Sequence, residues 1–185
     1  MLVADHPNLR LAYDSFALIA VVRYRNSTDL DAAPNANGVV YAKVCPCDNF
    51  VGAALFANDD YDHLSALPDA EIRANFLFQT RYGTGATRST ATGFNDDRVH
   101  VVVGQRISSA YRNRVDVDGQ LHSLGFTDLY DLSTTGYPAV IGASVDADAQ
   151  SLEGDLFELV LVRGAVPASI EAISDCLMAK YRPHG

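Results

Sequence analysis

Arg112-Asn113-Arg114-Val115-Asp116-Val117-Asp118-Gly119-Gln120-Leu121-His122-Ser123-Leu124 carries the pattern that decides the fold. Polar and apolar side chains alternate along 114–118, as a half-buried strand requires, and a second run follows at 120–124. Between them, Asp118-Gly119 is a two-residue hairpin signal, because both positions tolerate the positive φ of the turns that match strand twist. The stretch predicts two antiparallel strands joined directly.

Runs of the same kind recur outward from it, at 16–25, 39–44, 51–57, 71–79, 98–106, 139–144 and 156–163, separated by turn-rich stretches. Many short strands spaced in this way read as an all-β sandwich or barrel. In 156–163 both parities are mostly apolar, with Phe157, Leu159 and Leu161 on one side and Val160 and Val162 on the other. Residues 16–22 behave likewise. Strands apolar on both faces are covered on both faces; here the cover would come from a terminal helix, long loops or another subunit. One convincing helix closes the chain. Pro167 suits its first turn, Ile170, Ile173, Leu177 and Tyr181 form a stripe, Lys180 and Arg182 sit at the negative end of the dipole, and Pro183 stops it. Polar loops occupy 26–37, 58–69, 83–97 and 125–137; connections this long are commonly functional or mobile.

At 185 residues the chain fits one domain spanning 1–185. Fourteen basic residues against 23 acidic ones give a net charge of −9, which repels a phosphate backbone. Arg106, Arg112 and Arg114 are the nearest thing to a basic cluster, and nucleic acid is not the expected partner. No apolar run approaches the roughly 20 residues of a membrane-spanning helix. Residues 1–10 lack a basic start followed by an apolar stretch, so no secretory signal is read there. That leaves an intracellular or virion protein, or a piece of a longer exported one.

Cys45-Pro46-Cys47 and Cys176 do not have zinc-ligand spacing. The plainer reading is free thiols at a strand end; a bridge from Cys45 or Cys47 to Cys176 is the alternative. The odd count points weakly to a reducing environment during folding.

Taken in order, several segments resemble the laminin-G-like branch of the concanavalin A-like lectin/glucanase superfamily. Val99-His100-Val101-Val102-Val103 is similar to its strand with an apolar-His-apolar core, and Val115-Asp116-Val117-Asp118-Gly119 to its Val-Asp-Gly turn. Ile141-Gly142-Ala143 resembles its Ile-Gly-Ala strand, Gly154-Asp155-Leu156-Phe157-Glu158-Leu159 its Gly-Asp strand, and 176–181 its closing helix. The resemblance covers roughly residues 16–181. It implies a jelly roll of two antiparallel sheets with one C-terminal α-helix. Two departures stand out: Pro167 replaces a Ser or Asp cap, and the N-terminus begins close to the first core strand, leaving that edge open or supplied by a neighbour. Members of the superfamily bind sugars, proteins or calcium, and others cut polysaccharides, so function must be argued from the site.

Glu153-Gly154-Asp155-Leu156-Phe157-Glu158 fits Glu-x-Asp-x-x-Glu, which resembles the catalytic strand of laminarinase-type retaining glucanases. That chemistry needs two carboxyls about 5 Å apart. Period-two alternation puts Glu153 and Asp155 on one face and Glu158 on the other unless a bulge intervenes. Such enzymes line their cleft with tryptophans, and this chain has none. The competing reading keeps Asp155 and Glu158 as structural carboxylates bonded to backbone or arginine. For calcium, Asp59, Asp60 and Asp62, with Asp146 and Asp148, offer hard oxygen ligands on loops, and 95–97 is a similar cluster; solvated acidic turns, common on a chain of this charge, are the plainer account. Tyr61, Tyr82, Phe94 and Tyr130, with Phe126 and Tyr137, are the loop aromatics on which a pyranose could stack, or they pin their loops to the sandwich. His100 reads as a satisfied core residue; His63 and His122 pair with no nucleophile.

These readings rank a non-catalytic recognition module first, binding a glycan or cell-surface partner through rim loops, without a required cofactor unless calcium is used. A self-assembling virion or surface-layer subunit, hence a homo-oligomer, comes second, and a glycoside hydrolase third. The cell surface, the extracellular space or a virion surface is the expected location.

Overall fold

The computed structural model of the chain describes residues 1–25, 37–45, 50–58, 75–81, 86–89, 93–126, 130–142, 152, 154–164 and 167–181. In chain order the elements are β1 (Leu2–Val3), β2 (Phe16–Tyr24), β3 (Asn37–Cys45), β4 (Val51–Asn58), β5 (Asn75–Gln79), β6 (Ala86–Arg88), β7 (Val99–Ile107), β8 (Arg112–Val117), β9 (Gln120–Phe126), β10 (Ala139–Ile141), β11 (Gly154–Arg163) and α1 (Pro167–Tyr181). The β8–β9 hairpin forms as read, with Asp118 at φ 52° and Gly119 at φ 76°. Among the described residues the strands make two antiparallel sheets, β11-β2-β7-β8-β9 and β1-β10-β3-β4-β5-β6, stacked as a jelly-roll sandwich.

The even-numbered side of β2 faces the second sheet. Phe16, Leu18, Ala20 and Val22 are wholly buried against Leu55, Phe76 and Phe78, and the Phe16 ring meets Phe78 edge-on at 5.8 Å. The odd-numbered side, Ala17, Ile19 and Val21, packs with Val101 and Val103 under Ile170 and Leu177 of α1. The terminal helix thus covers the second apolar face. A 15-residue helix is marginal in isolation, whereas burying Ile170 and Leu177 contributes about 2 kcal/mol each, so docking rather than propensity holds α1.

Three sequence expectations need correction. The N-terminal edge is not open: β1 pairs with β10, Leu2 opposite Val140. The loop read over 83–97 contains β6, paired with β5. In β11 the register shifts between Leu156 and Glu158, so Leu156 joins Leu159 and Leu161 in the core. Phe157 is displaced from that face, 43% exposed, with its ring 5.8 Å from that of Tyr181. The cysteine reading also changes. Cys45 is disulfide-bonded while Cys176 is free and exposed, which removes both three free thiols and a bridge to Cys176.

Two buried cations tie the rim to the sheets. The Lys43 ammonium donates to Asp5 Oδ1 at 2.9 Å and to the carbonyls of Thr134 and Tyr137 at 3.0 and 2.7 Å. Arg106 donates to the carbonyls of Ala12 at 3.1 Å and Tyr130 at 3.0 Å. Together they hold the segment 130–137 across one end of the sandwich. The three arginines do not cluster: Arg106 is wholly buried, and Arg114 pairs with Asp116 at 2.7 Å.

Candidate functional site

The bulge puts the two described carboxylates of β11 on one face. Asp155 lies opposite Arg23 and Glu158 opposite Val21, so both project on the outer face of the sheet. Asp155 is paired with Arg23 and, at 3.0 Å, with Arg25. Glu158 is paired with Lys180 and accepts a hydrogen bond from the Tyr181 hydroxyl at 2.7 Å. The Arg23 guanidinium holds Asp155 below the usual carboxylate range, and the Lys180 ammonium does the same for Glu158. A glycosidase acid needs a pKa pushed upward so that its proton is present at neutral pH; these two groups are pushed the other way. Glu153 lies outside the described residues.

Of the aromatic candidates, Phe94 is half-buried, its ring 5.4 Å from Phe76, 5.2 Å from His100 and 5.5 Å from His122. Tyr130 lies under the Arg81 guanidinium at 4.1 Å, and its carbonyl is held by Arg106. Both anchor their loops. Tyr61 and Tyr82 lie outside the described residues, as do Asp59, Asp60 and Asp62 and the pair Asp146 and Asp148. Among the described residues no group of three His, Cys, Asp or Glu side chains is placed to hold a metal. In the cluster at 95–97, Asp96 is committed to His100.

His100 is buried between two carboxylates, Nδ1 2.8 Å from Asp118 Oδ2 and Nε2 2.9 Å from Asp96 Oδ1. Asp118 Oδ1 also accepts from the Val101 N–H at 2.9 Å, which locks the hairpin turn to β7. Only the imidazolium can donate from both nitrogens. Burial opposes the charge, but the bonds to Asp118 and Asp96 outweigh it, and the pKa is raised. Stability from this group is complete below the unfolded value near 6.5 and is lost as pH rises through the higher folded value. The urea midpoint should therefore fall between about pH 6 and about pH 9, and His100→Gln should flatten that slope. Equal slopes for the two proteins would disprove the assignment.

A recess of about 220 Å³ opens between α1 and the outer face of β7 and β8. Val103 and Ile170 supply its apolar wall, while Arg114, Asp116, Glu171, Ser174 and Asp175 supply polar groups. Arg114 bridges sheet and helix, 2.7 Å from Asp116 and 3.5 Å from Glu171. Burial raises the Asp116 pKa against the opposing pull of Arg114. Ser174 is 5% exposed, and its Oγ has no hydrogen-bond partner. Sequence reading missed this recess, because Ser174 interrupts the apolar stripe of α1 in a way that one helix alone does not explain.

Among the described residues, two antiparallel layers and one helix form a jelly-roll sandwich, the fold of the concanavalin A-like type. Solved structures that share this shape include binding domains. The binding domain of a paraclostridial mosquitocidal protein superposes with a TM-score of 0.66 at 8% identity, over 97% of this chain and 40% of that one. Domains LG4-5 of the mouse laminin α1 chain give 0.52 at 15% identity, over 82% of this chain and 36% of that one. The CBM40 domain of a Ruminococcus gnavus sialidase, bound to α2,3-sialyllactose, gives 0.55 at 10% identity, over 88% and 83%. This chain thus spans less than half of the mosquitocidal and laminin structures. No protein-family model and no curated protein matches the sequence. Among the described residues no helix is long and apolar enough to cross a membrane.

Proposed function

We propose that the chain is a non-catalytic recognition module whose ligand is a glycan or a glycan-bearing cell-surface partner. The carrying observation is the recess under α1, a concave polar site with a buried hydroxyl left unbonded. Native structures rarely leave such a group without a partner. The ion-paired state of Asp155 and Glu158 supports a binding role over hydrolysis, and the shared fold with a sialyllactose-bound domain supports a sugar as ligand. A glycan array run beside a reducing-sugar assay tests the reading. Retention of some glycans without product release is expected. Product release that Glu158→Gln abolishes would overturn it, as would an array without any retention.

A self-assembling subunit is the second reading. It is favoured by Leu121 and Leu124, 56% and 49% exposed on the edge strand β9. Exposed apolar side chains on a sheet edge invite pairing. Sedimentation at tens of micromolar decides it: a dimer that Leu121→Lys dissolves supports assembly, and a clean monomer removes it.

A further inference from the structure

Resting on glycan recognition, we propose that the recess between α1 and β8 takes an unacetylated amino sugar, a pyranose ring carrying a primary ammonium beside its hydroxyls. Charge gives the ammonium. Asp116, Glu171 and Asp175 line the recess with one basic side chain, Arg114, which is already shared between Asp116 and Glu171; the His122 imidazole also acts on Asp116 from outside the lining. Asp175 forms no ion pair among the described residues. The surplus of negative charge attracts a cation and repels sialylated or sulfated sugars.

Hydrogen bonding gives the hydroxyls. The unbonded Ser174 Oγ both donates and accepts, as a sugar hydroxyl does, and the guanidinium of Arg114 supplies donors from the sheet side. A bare alkylammonium would satisfy the carboxylates and leave these groups unmet. Val103 and Ile170 offer an apolar wall for the C–H face of a ring. The volume, about 220 Å³, lies below the range of roughly 300–1,000 Å³ for drug-sized pockets, which suits one ring. A divalent cation is a poor occupant, because it would need several oxygen ligands where Arg114 already stands.

The test is titration of the full chain at about pH 6, where an amine is protonated, followed by NMR shift changes and calorimetry. The probes are glucosamine and its β1,4-linked oligomers, the N-acetylated counterparts, glucose, sialyllactose and Nα-acetyl-lysine amide. The amino sugar should bind at least about tenfold more tightly than its N-acetylated form or the lysine amide. Asp175→Asn and Ser174→Ala should each weaken it about tenfold while thermal melts confirm that both variants fold. Equal binding of the N-acetylated sugar removes the ammonium from the proposal, and equal binding of the lysine amide removes the ring. Either result overturns it. If other glycans bind and both variants leave that binding unchanged, the site assignment fails and glycan recognition stands. If no glycan binds at all, both fail.

Discussion

Arg106→Met is expected to destabilise the fold by about 3 kcal/mol and lower the thermal midpoint by roughly 6–12 °C. The side chain is 0% exposed and lies at the end of β7 between the two sheets. Its guanidinium donates to the carbonyls of Ala12 and Tyr130, in two chain segments that also meet through the Leu132 N–H bond to the Ala12 carbonyl at 3.0 Å. Methionine fills much of the volume but donates nothing, so the Tyr130 carbonyl loses this donor and the Ala12 carbonyl keeps only the Leu132 N–H, in a site that water reaches poorly. Burial lowers the Arg106 pKa, against the pull of Asp14 and Asp131, and shows that the charge is held at a cost. The two hydrogen bonds it donates offset that cost. Urea denaturation measures the effect, and a change below about 0.5 kcal/mol would show that Arg106 is a bystander. Lys43→Met acts on the other end of the segment 130–137 and should lower the midpoint in the same direction.

Gly154→Ala is the second large effect, again about 3 kcal/mol. A Cβ built at Gly154 would stand 2.0 Å from the Arg23 carbonyl oxygen and 3.3 Å from Tyr24 Cα. Both are backbone atoms of β2, which is hydrogen-bonded on both sides and cannot retreat. The φ of 159° adds strain for any L side chain. The pair Gly154-Asp155 therefore has a physical meaning: the glycine lets β11 approach β2 closely, and the next residue then meets Arg23. Chemical denaturation with the Arg23→Ala variant alongside separates the two contributions. A Gly154→Ala protein as stable as the parent would mean that β11 does not run where it is placed.

Much of this molecule was legible in one dimension because the deciding interactions are local or periodic. Asp118-Gly119 announces a hairpin, since only a few residue types accept two positive φ values in succession. The double-sided apolar character of 16–22 announced an extra cover, although it did not say whether a helix, a loop or a second subunit would supply it. The stripe Ile170, Ile173, Leu177 and Tyr181 announced the helix and its buried side. By contrast, β1 and β6 span two and three residues, too few for any period to show, and exist only because β10 and β5 offer unpaired edges.

The sequence alone determined the two-layer antiparallel architecture, the closing helix and the resemblance to laminin-G-like domains, because alternation, stripe and turn chemistry act within a few residues of one another. Tertiary structure alone decided that Phe157 leaves the core, that Lys43 and Arg106 enter it, that His100 sits between Asp96 and Asp118, and that Ser174 faces Arg114 and Asp116 across a recess. Each of these joins residues distant along the chain or depends on a one-residue shift of register. The energies involved are set by burial and by which polar groups find partners, and neither exists until the sheets and the helix have met.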